Sequence, residues 1–362
     1  MPDGIEKRGM FISFRGGVAP LRESLSRERT HSMKKPKLIV FDMDGVLIDV
    51  SGSYREAVRK TVRLFFSGAK GAEKLPDPLF SLTELAKLKQ TGGLNNDWDL
   101  TALTLHLLFA LVRKPAGPLC DAEPSDAGEV IRRSDVSELA EFLRKDPCPL
   151  MTLLGLHGRR NDPFVAQCQQ GDVCTGNRIK RIFQEIYLGR SLFPVHYREE
   201  PMFFHEEGLI HREKSLLDAA LLQVLARDQI LAIATGRPGS EAEFPLDRFG
   251  LRQYFNAVIT LDDSTREEEK IFLERGERVS LKKPNPYMLD QIPKMIGCSF
   301  GECYYLGDMP DDMQAARASQ NGYRGVGVIL GATEPENLRR ELLQAGADFV
   351  ITNPGELLDL LD

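Results

Sequence analysis

Asp42 and Asp44 close the run KLIVFDMDG, which begins at Lys37, one residue apart on either side of Met43. In an extended segment alternate side chains point the same way, so both carboxylates can reach one site unless the chain turns at once. Two anions held close repel each other, and a divalent cation relieves that repulsion. Mg²⁺ suits such a site because it takes oxygen ligands and leaves positions for water and a phosphate. Taken alone, the pair would equally suit an acidic cap at the end of a strand. A second acidic pair stands in GDMPDD, where Asp308 is placed to add a metal ligand and Asp312 to hold the metal's waters or a nearby Lys. The metal site is therefore expected from Asp42, Asp44, Asp308 and Asp312.

Two further positions suit phosphate. Thr235, in ATGR, ends another apolar run, and its hydroxyl with the backbone N–H groups that follow, beginning at Gly236, could hold phosphate oxygens. Lys283, in LKKPNPYML, precedes Pro284, which biases it to extended backbone. Its ammonium could neutralise both the nucleophile and a transferring phosphoryl group. Singly, Thr235 reads as a turn residue and Lys283 as a solvated loop lysine; their order in one chain is what counts.

These residues need a scaffold that gathers distant loops. Apolar runs at Lys37–Phe41, Gln229–Gly236, Asn256–Asp263, Cys303–Asp308, Gly325–Leu330 and Asp348–Thr352 alternate with stretches of helical spacing. That alternation predicts an α/β fold with a doubly wound, mainly parallel sheet, whose strand ends converge along one edge. Between the first and second runs lies far more chain than a crossover requires. Helical spacing over Ser53–Phe66, Asp97–Val112 and Arg178–Tyr187 makes this insert mostly α-helical. Arg113–Leu150, with five prolines around a polar middle, is expected to be an irregular insertion within it. The charged run Thr265–Arg278 is expected as an exposed excursion.

The order DxDG, Thr after a strand, Lys before Pro, then GDxxxD resembles the haloacid dehalogenase superfamily. The resemblance implies a Rossmann-like core at residues 37–52 and 208–362 and a helical cap at 53–207. Residues 1–36, rich in Arg, Ser and Gly without an apolar period, are expected to be a flexible tail or an over-long start, with a targeting peptide as the alternative. It implies that Asp42 is the nucleophile, forming an aspartyl-phosphate, and that Asp44 is the acid–base. Thr235 and Lys283 would bind the phosphoryl group, and Mg²⁺ would sit on the Asp42 carboxylate, the Asp44 backbone carbonyl and Asp308. An acid at the position of Asp44 favours P–O over carbon–halogen cleavage, since a halide leaves without a proton. The implied enzyme is a Mg²⁺-dependent phosphohydrolase acting on a small phosphorylated metabolite. A phosphomutase, or a phosphate-binding regulatory protein without turnover, are the alternatives.

The cap should choose the substrate. In GGLNNDWDL, Asn95, Asn96 and Trp98 could form a substrate-facing loop, although a turn capping the helix from Asp97 fits as well. Arg55, Arg178 and Lys180 are further possible anion contacts, and the histidines show no ligand spacing. A formal net charge of −6 argues against a broad nucleic-acid surface. No run is long enough to span a bilayer. The six cysteines form no CxxC pair, and a cytoplasmic location is expected.

Overall fold

The computed structural model describes residues 35–362, apart from 92, 93, 95, 116–126, 331, 333 and 362. Strand β1 (Leu38–Phe41) is buried at all four positions because both faces of the sheet are covered. Leu38 and Val40 pack into one apolar cluster, and Ile39 and Phe41 into another on the opposite face. Such two-sided burial explains the unbroken apolar run of a central parallel strand.

After β1 come β2 (Ile48–Asp49), β3 (Lys214–Ser215), β4 (Ile230–Ala234), β5 (Ala257–Ile259), β6 (Cys303–Gly307), β7 (Tyr323–Val328) and β8 (Phe349–Ile351). Six of them form a sheet in the order β5-β4-β1-β6-β7-β8, with every pairing parallel. The chain steps outward from β1 in one direction through β4 and β5, then returns to the other side of β1 with β6. This reversal leaves a crevice beyond the carboxyl ends of β1, β4 and β6, where ligands bind in open α/β sheets. The short β2 and β3 pair antiparallel, joining the chain that leaves β1 to the chain that returns before β4.

Helices fill the stretch between β2 and β3. Tyr54–Phe65, Asp97–Leu108 and Arg178–Tyr197 occupy the segments whose spacing predicted them; the last is broken at Gly189 (φ +68°), two residues past the expected end at Tyr187, and a further helical stretch follows to Tyr197. Leu82–Gln90 and Pro163–Cys168 are helices that the spacing did not indicate. One apolar cluster runs from Ile39 and Phe41 of the sheet into Val58, Leu105 and Phe183 of these helices.

One expectation requires correction, and a second, the exposed charged run, holds but takes the form of a helix. The stretch 113–150 is not irregular where it is described: Ala127–Arg133 and Ser137–Lys145 are helices, and Pro149–His157 begins at its end. Pro149 starts that helix instead of preventing one, since a proline in the first turn lacks only an N–H that would have no partner inside the helix. The first-turn donors find an acceptor elsewhere: Glu84 accepts from the N–H groups of Leu150 at 2.5 Å and Met151 at 3.1 Å. The charged run after β5 is a helix, Leu261–Arg275, whose start Thr260 and Asp263 fix through a capping box. Asp262 and Asp263 therefore belong to that helix, and the strand ends at Ile259. The helix is exposed along most of its length, which is why its residues are charged.

Candidate active site

The loops that follow β1, β4 and β6, together with the turn before Tyr287–Ile296, bring four distant pieces of sequence into one cleft. Asp42 follows β1 directly, and its backbone N–H still donates to the Leu306 carbonyl of β6 at 2.8 Å. The chain then turns sharply. Gly45 has φ +75°, and a Cβ there would collide with the Asp308 carboxylate, so both conformation and space demand glycine. Gly307 is a second close approach, where a side chain would strike Asp312.

Asp42, Asp308 and Asp312 each offer a carboxylate oxygen within 4.8 Å of the others. Lys283 bridges two of them, with Nζ 2.8 Å from Asp42 Oδ1 and 2.8 Å from Asp312 Oδ1. The three acids are not equivalent. Asp312 is saturated by protein donors: Oδ1 accepts from the Tyr305 hydroxyl at 2.9 Å as well as from Lys283, and Oδ2 accepts from the Met309 N–H at 3.0 Å. Its geometry anchors Lys283. Asp308, by contrast, has no protein hydrogen bond to its carboxylate among the described residues, which leaves its oxygens available.

Electrostatics follow from burial. Asp42 is pushed up from 3.8 to about 7 by burial, and Lys283 counteracts the push that Asp312 and Asp44 add. Asp308 is pushed up to about 8, first by burial and then by Asp312 and Asp42. Burial works against the charge on Lys283, but Asp312 and Asp42 outweigh it and hold the ammonium protonated. Three carboxylates against one ammonium leave an excess of negative charge. A hard divalent cation fits this donor set: the ligands are oxygens only, and neither His nor Cys belongs to the group.

The other sequence-singled residues fall into different positions. Thr235 is buried and lines the cleft beside Gly236; its Oγ1 accepts from the Arg237 N–H at 3.2 Å. The Asp44 carboxylate does not join the acidic group. It faces Arg237, whose Nε lies 2.5 Å from Oδ1. Asn96 and Trp98 both line the cleft, but Asn96 also caps the helix Asp97–Leu108, accepting from the Asp99 N–H at 2.8 Å. Trp98 lies under Lys180, 4.3 Å from the ring centroid, and its Nε1 is buried without a hydrogen-bond partner. Asn95 lies outside the described residues. Arg55 lines the cleft, whereas Arg178 stacks on Phe203 and Lys180 pairs with Asp172.

The sequence reading passed over Arg237, Lys89 and Glu213. Lys89 joins Arg55 in pairing with buried Asp97, at 3.2 Å and 3.3 Å respectively. Arg237 is buried and its guanidinium faces Glu213. The one available signal was position, since Arg237 completes the quoted ATGR; Glu213 offered none.

Comparison with known proteins agrees with this architecture. Residues 175–320 match the family model of haloacid dehalogenase-like hydrolases. The chain is 24% identical over 334 residues to an imidazoleglycerol-phosphate dehydratase of Phytophthora nicotianae, covering 89% of this chain and 52% of that protein. It is 28% identical over 141 residues to a phosphoglycolate phosphatase of Pectobacterium atrosepticum, covering 39% of this chain and 51% of that one. The chain thus spans about half the length of these curated relatives. Among solved structures, a structural-genomics target determined by X-ray crystallography superposes with a TM-score of 0.57 at 20% identity, over 90% of this chain and 98% of the other, and shares the fold. The motif order, the sheet topology and the family match over residues 175–320 agree in making this chain similar to the haloacid dehalogenase-like hydrolases.

Proposed function

We propose that this chain is a magnesium-dependent phosphohydrolase that cleaves a small phosphorylated metabolite through an aspartyl-phosphate on Asp42. The observation that carries the reading is the setting of Asp42: a buried carboxylate at a strand end, 2.8 Å from Lys283, beside the available carboxylate of Asp308. Asp42 and Asp308, with the Asp44 backbone carbonyl, would hold Mg²⁺, which when bound supplies positive charge to the phosphoryl oxygens. Thr235 and the backbone after it bind the remaining phosphate oxygens, and Lys283 offsets charge shared between Asp42 and the phosphoryl group. An Asp42 oxygen bonds to phosphorus as the ester P–O bond breaks, and Asp44 gives its proton to the departing oxygen. Water then attacks the phosphorus of the aspartyl-phosphate, Asp44 takes a proton from it, and phosphate leaves with Asp42 restored.

In this reading residues 37–52 and 208–362 form the catalytic core and 53–207 a cap that excludes bulk water and selects the substrate. Among the described residues no helix is long and apolar enough to cross a membrane. The reading places the protein in the cytoplasm, acting without a nucleic-acid or membrane partner. Phosphate release should be assayed on a panel of monoesters with and without Mg²⁺, together with acid trapping of labelled enzyme. Asp42→Asn should eliminate the trapped label. A label that survives this change would assign the nucleophile to another residue.

A further inference from the structure

Arg237 sits among acceptors that come from widely separated parts of the chain. Its Nη1 lies 3.1 Å from Glu213 Oε2 and its Nη2 3.1 Å from Glu213 Oε1, a two-pronged pair with both partners buried. Nη1 also reaches the Tyr187 hydroxyl at 3.2 Å and the Glu241 carbonyl at 3.2 Å, while the Tyr54 ring lies 5.0 Å from the guanidinium. Removing an arginine from water costs several kcal/mol unless an anion and good geometry offset it. Glu213 and Asp44 meet that requirement together, Asp44 being the strongest of the neighbours that favour the ion. The bond from Nε to Asp44 Oδ1, at 2.5 Å, ties this buried cation to the cleft.

For Asp44 the same bond is decisive. Its carboxylate is about a third exposed to the cleft (31%) and has no other hydrogen-bond partner among the described residues. Without Arg237 it would be free to rotate, including toward the acidic group of Asp42 and Asp308. One oxygen is held by Nε, which leaves the other for a proton-transfer partner. The anchor is itself well tied: Ser53 Oγ donates to Glu213 Oε1 at 2.9 Å and Tyr187 Oη donates to it at 3.0 Å. Ser53 lies where the chain enters the helical insert, and Glu213 where it returns to β3. The hold on Asp44 is thus fastened where the two connections meet.

We propose that Arg237, braced by Glu213, is a positioning residue that fixes the Asp44 carboxylate for proton transfer. The proposal rests on the phosphohydrolase reading above. Its test compares the full chain with Arg237→Gln, Arg237→Lys and Glu213→Gln, in Mg²⁺, on p-nitrophenyl phosphate and on an alkyl phosphate. The aryl leaving group needs no proton, so Arg237→Gln should still release about one nitrophenolate per chain in a fast burst. Later turnover should slow by about 10²-fold, since loss of general acid–base help costs that order. The alkyl ester should show the loss without a burst. Arg237→Lys should recover part of the rate, and Mg²⁺ affinity should stay near that of the wild type. Arg237→Gln with undiminished turnover, or with burst and turnover falling equally while Mg²⁺ still binds, would overturn the proposal. Should Arg237→Gln fail to fold by circular dichroism, Glu213→Gln carries the same comparison, with a smaller loss expected in the same pattern. A wild type inactive on both esters would remove the phosphohydrolase reading itself; an active wild type with unaltered variants removes only the positioning role.

Discussion

At the scale of single residues, the site is built as much by what is missing as by what is present. Gly45 lets the chain turn away after Asp42 and lets the Asp308 carboxylate approach its backbone. Gly45→Ala should therefore lose stability by about 1–3 kcal/mol, the usual cost of a side chain in a left-handed backbone conformation. It should also displace Asp308 and weaken Mg²⁺ binding. Urea denaturation with isothermal titration would check both, and wild-type metal affinity in the variant would refute the contact. The acids, Thr235 and Lys283 were legible in the sequence because each sits in a local pattern: a strand end, a glycine, a proline. Arg237 was not, because its partners Asp44 and Glu213 are 193 and 24 residues away. A buried arginine is recognised by its acceptors, and acceptors at such separations leave no spacing to read. Asp312 was legible in part. Its motif position suggested the metal's waters or a nearby Lys; the structure supplies the Lys, Lys283, and adds Tyr305 and Met309 as donors that no spacing announced.

At the scale of elements, strands were easier to read than the helices around them. A parallel strand buried on both faces is apolar throughout, so β1, β4 and β6 announce themselves. The helices of 113–150 hide behind prolines because the support for Pro149–His157 lies outside it, in the Glu84 carboxylate on Leu82–Gln90. Glu84 is almost fully enclosed at 2% exposure, and burial raises its pKa against the two backbone donors that lower it. Glu84→Ala would leave the Leu150 and Met151 N–H groups without their acceptor. A loss of about 1–3 kcal/mol is expected, in the range for stranding buried hydrogen-bonding groups. Glu84→Gln keeps one carbonyl acceptor in place and should lose less. Equal stability of all three proteins in urea would mean that water replaces the bond without cost. The Lys87–Glu334 pair at 2.9 Å makes a useful contrast. Both side chains are substantially exposed, so Lys87→Ala should leave the urea midpoint nearly unchanged.

At the scale of the whole molecule, the sheet reversal concentrates negative charge at one edge, and the helical insert shields it from water. The two effects together raise Asp42 to about 7 and Asp308 to about 8. Both folded values lie above the ordinary 3.8, so the metal-free native state holds protons that the unfolded chain has already released. The slope of stability with pH is then negative. The metal-free protein should be stabilised by these groups below about pH 4 and should lose that contribution progressively as pH rises to about 8. If Mg²⁺ binds as proposed, it should reverse the trend, because it would have to displace the same protons. Its affinity should climb through the interval from about pH 6 to 8, by up to about tenfold per pH unit for each proton displaced, and level off above it. The rise in melting temperature on adding Mg²⁺ should accordingly be much larger at about pH 8.5 than at about pH 6. Asp308→Asn removes one of the two proton-holding groups and a metal ligand together, so it should flatten the pH dependence of the metal-free protein and abolish most of the Mg²⁺ effect. Calorimetry of the wild type and this variant across that range decides the matter. A Mg²⁺-induced shift independent of pH, or one retained in Asp308→Asn, would place the cation away from the acidic edge and leave the excess charge of Asp42, Asp308 and Asp312 to be balanced by protons alone.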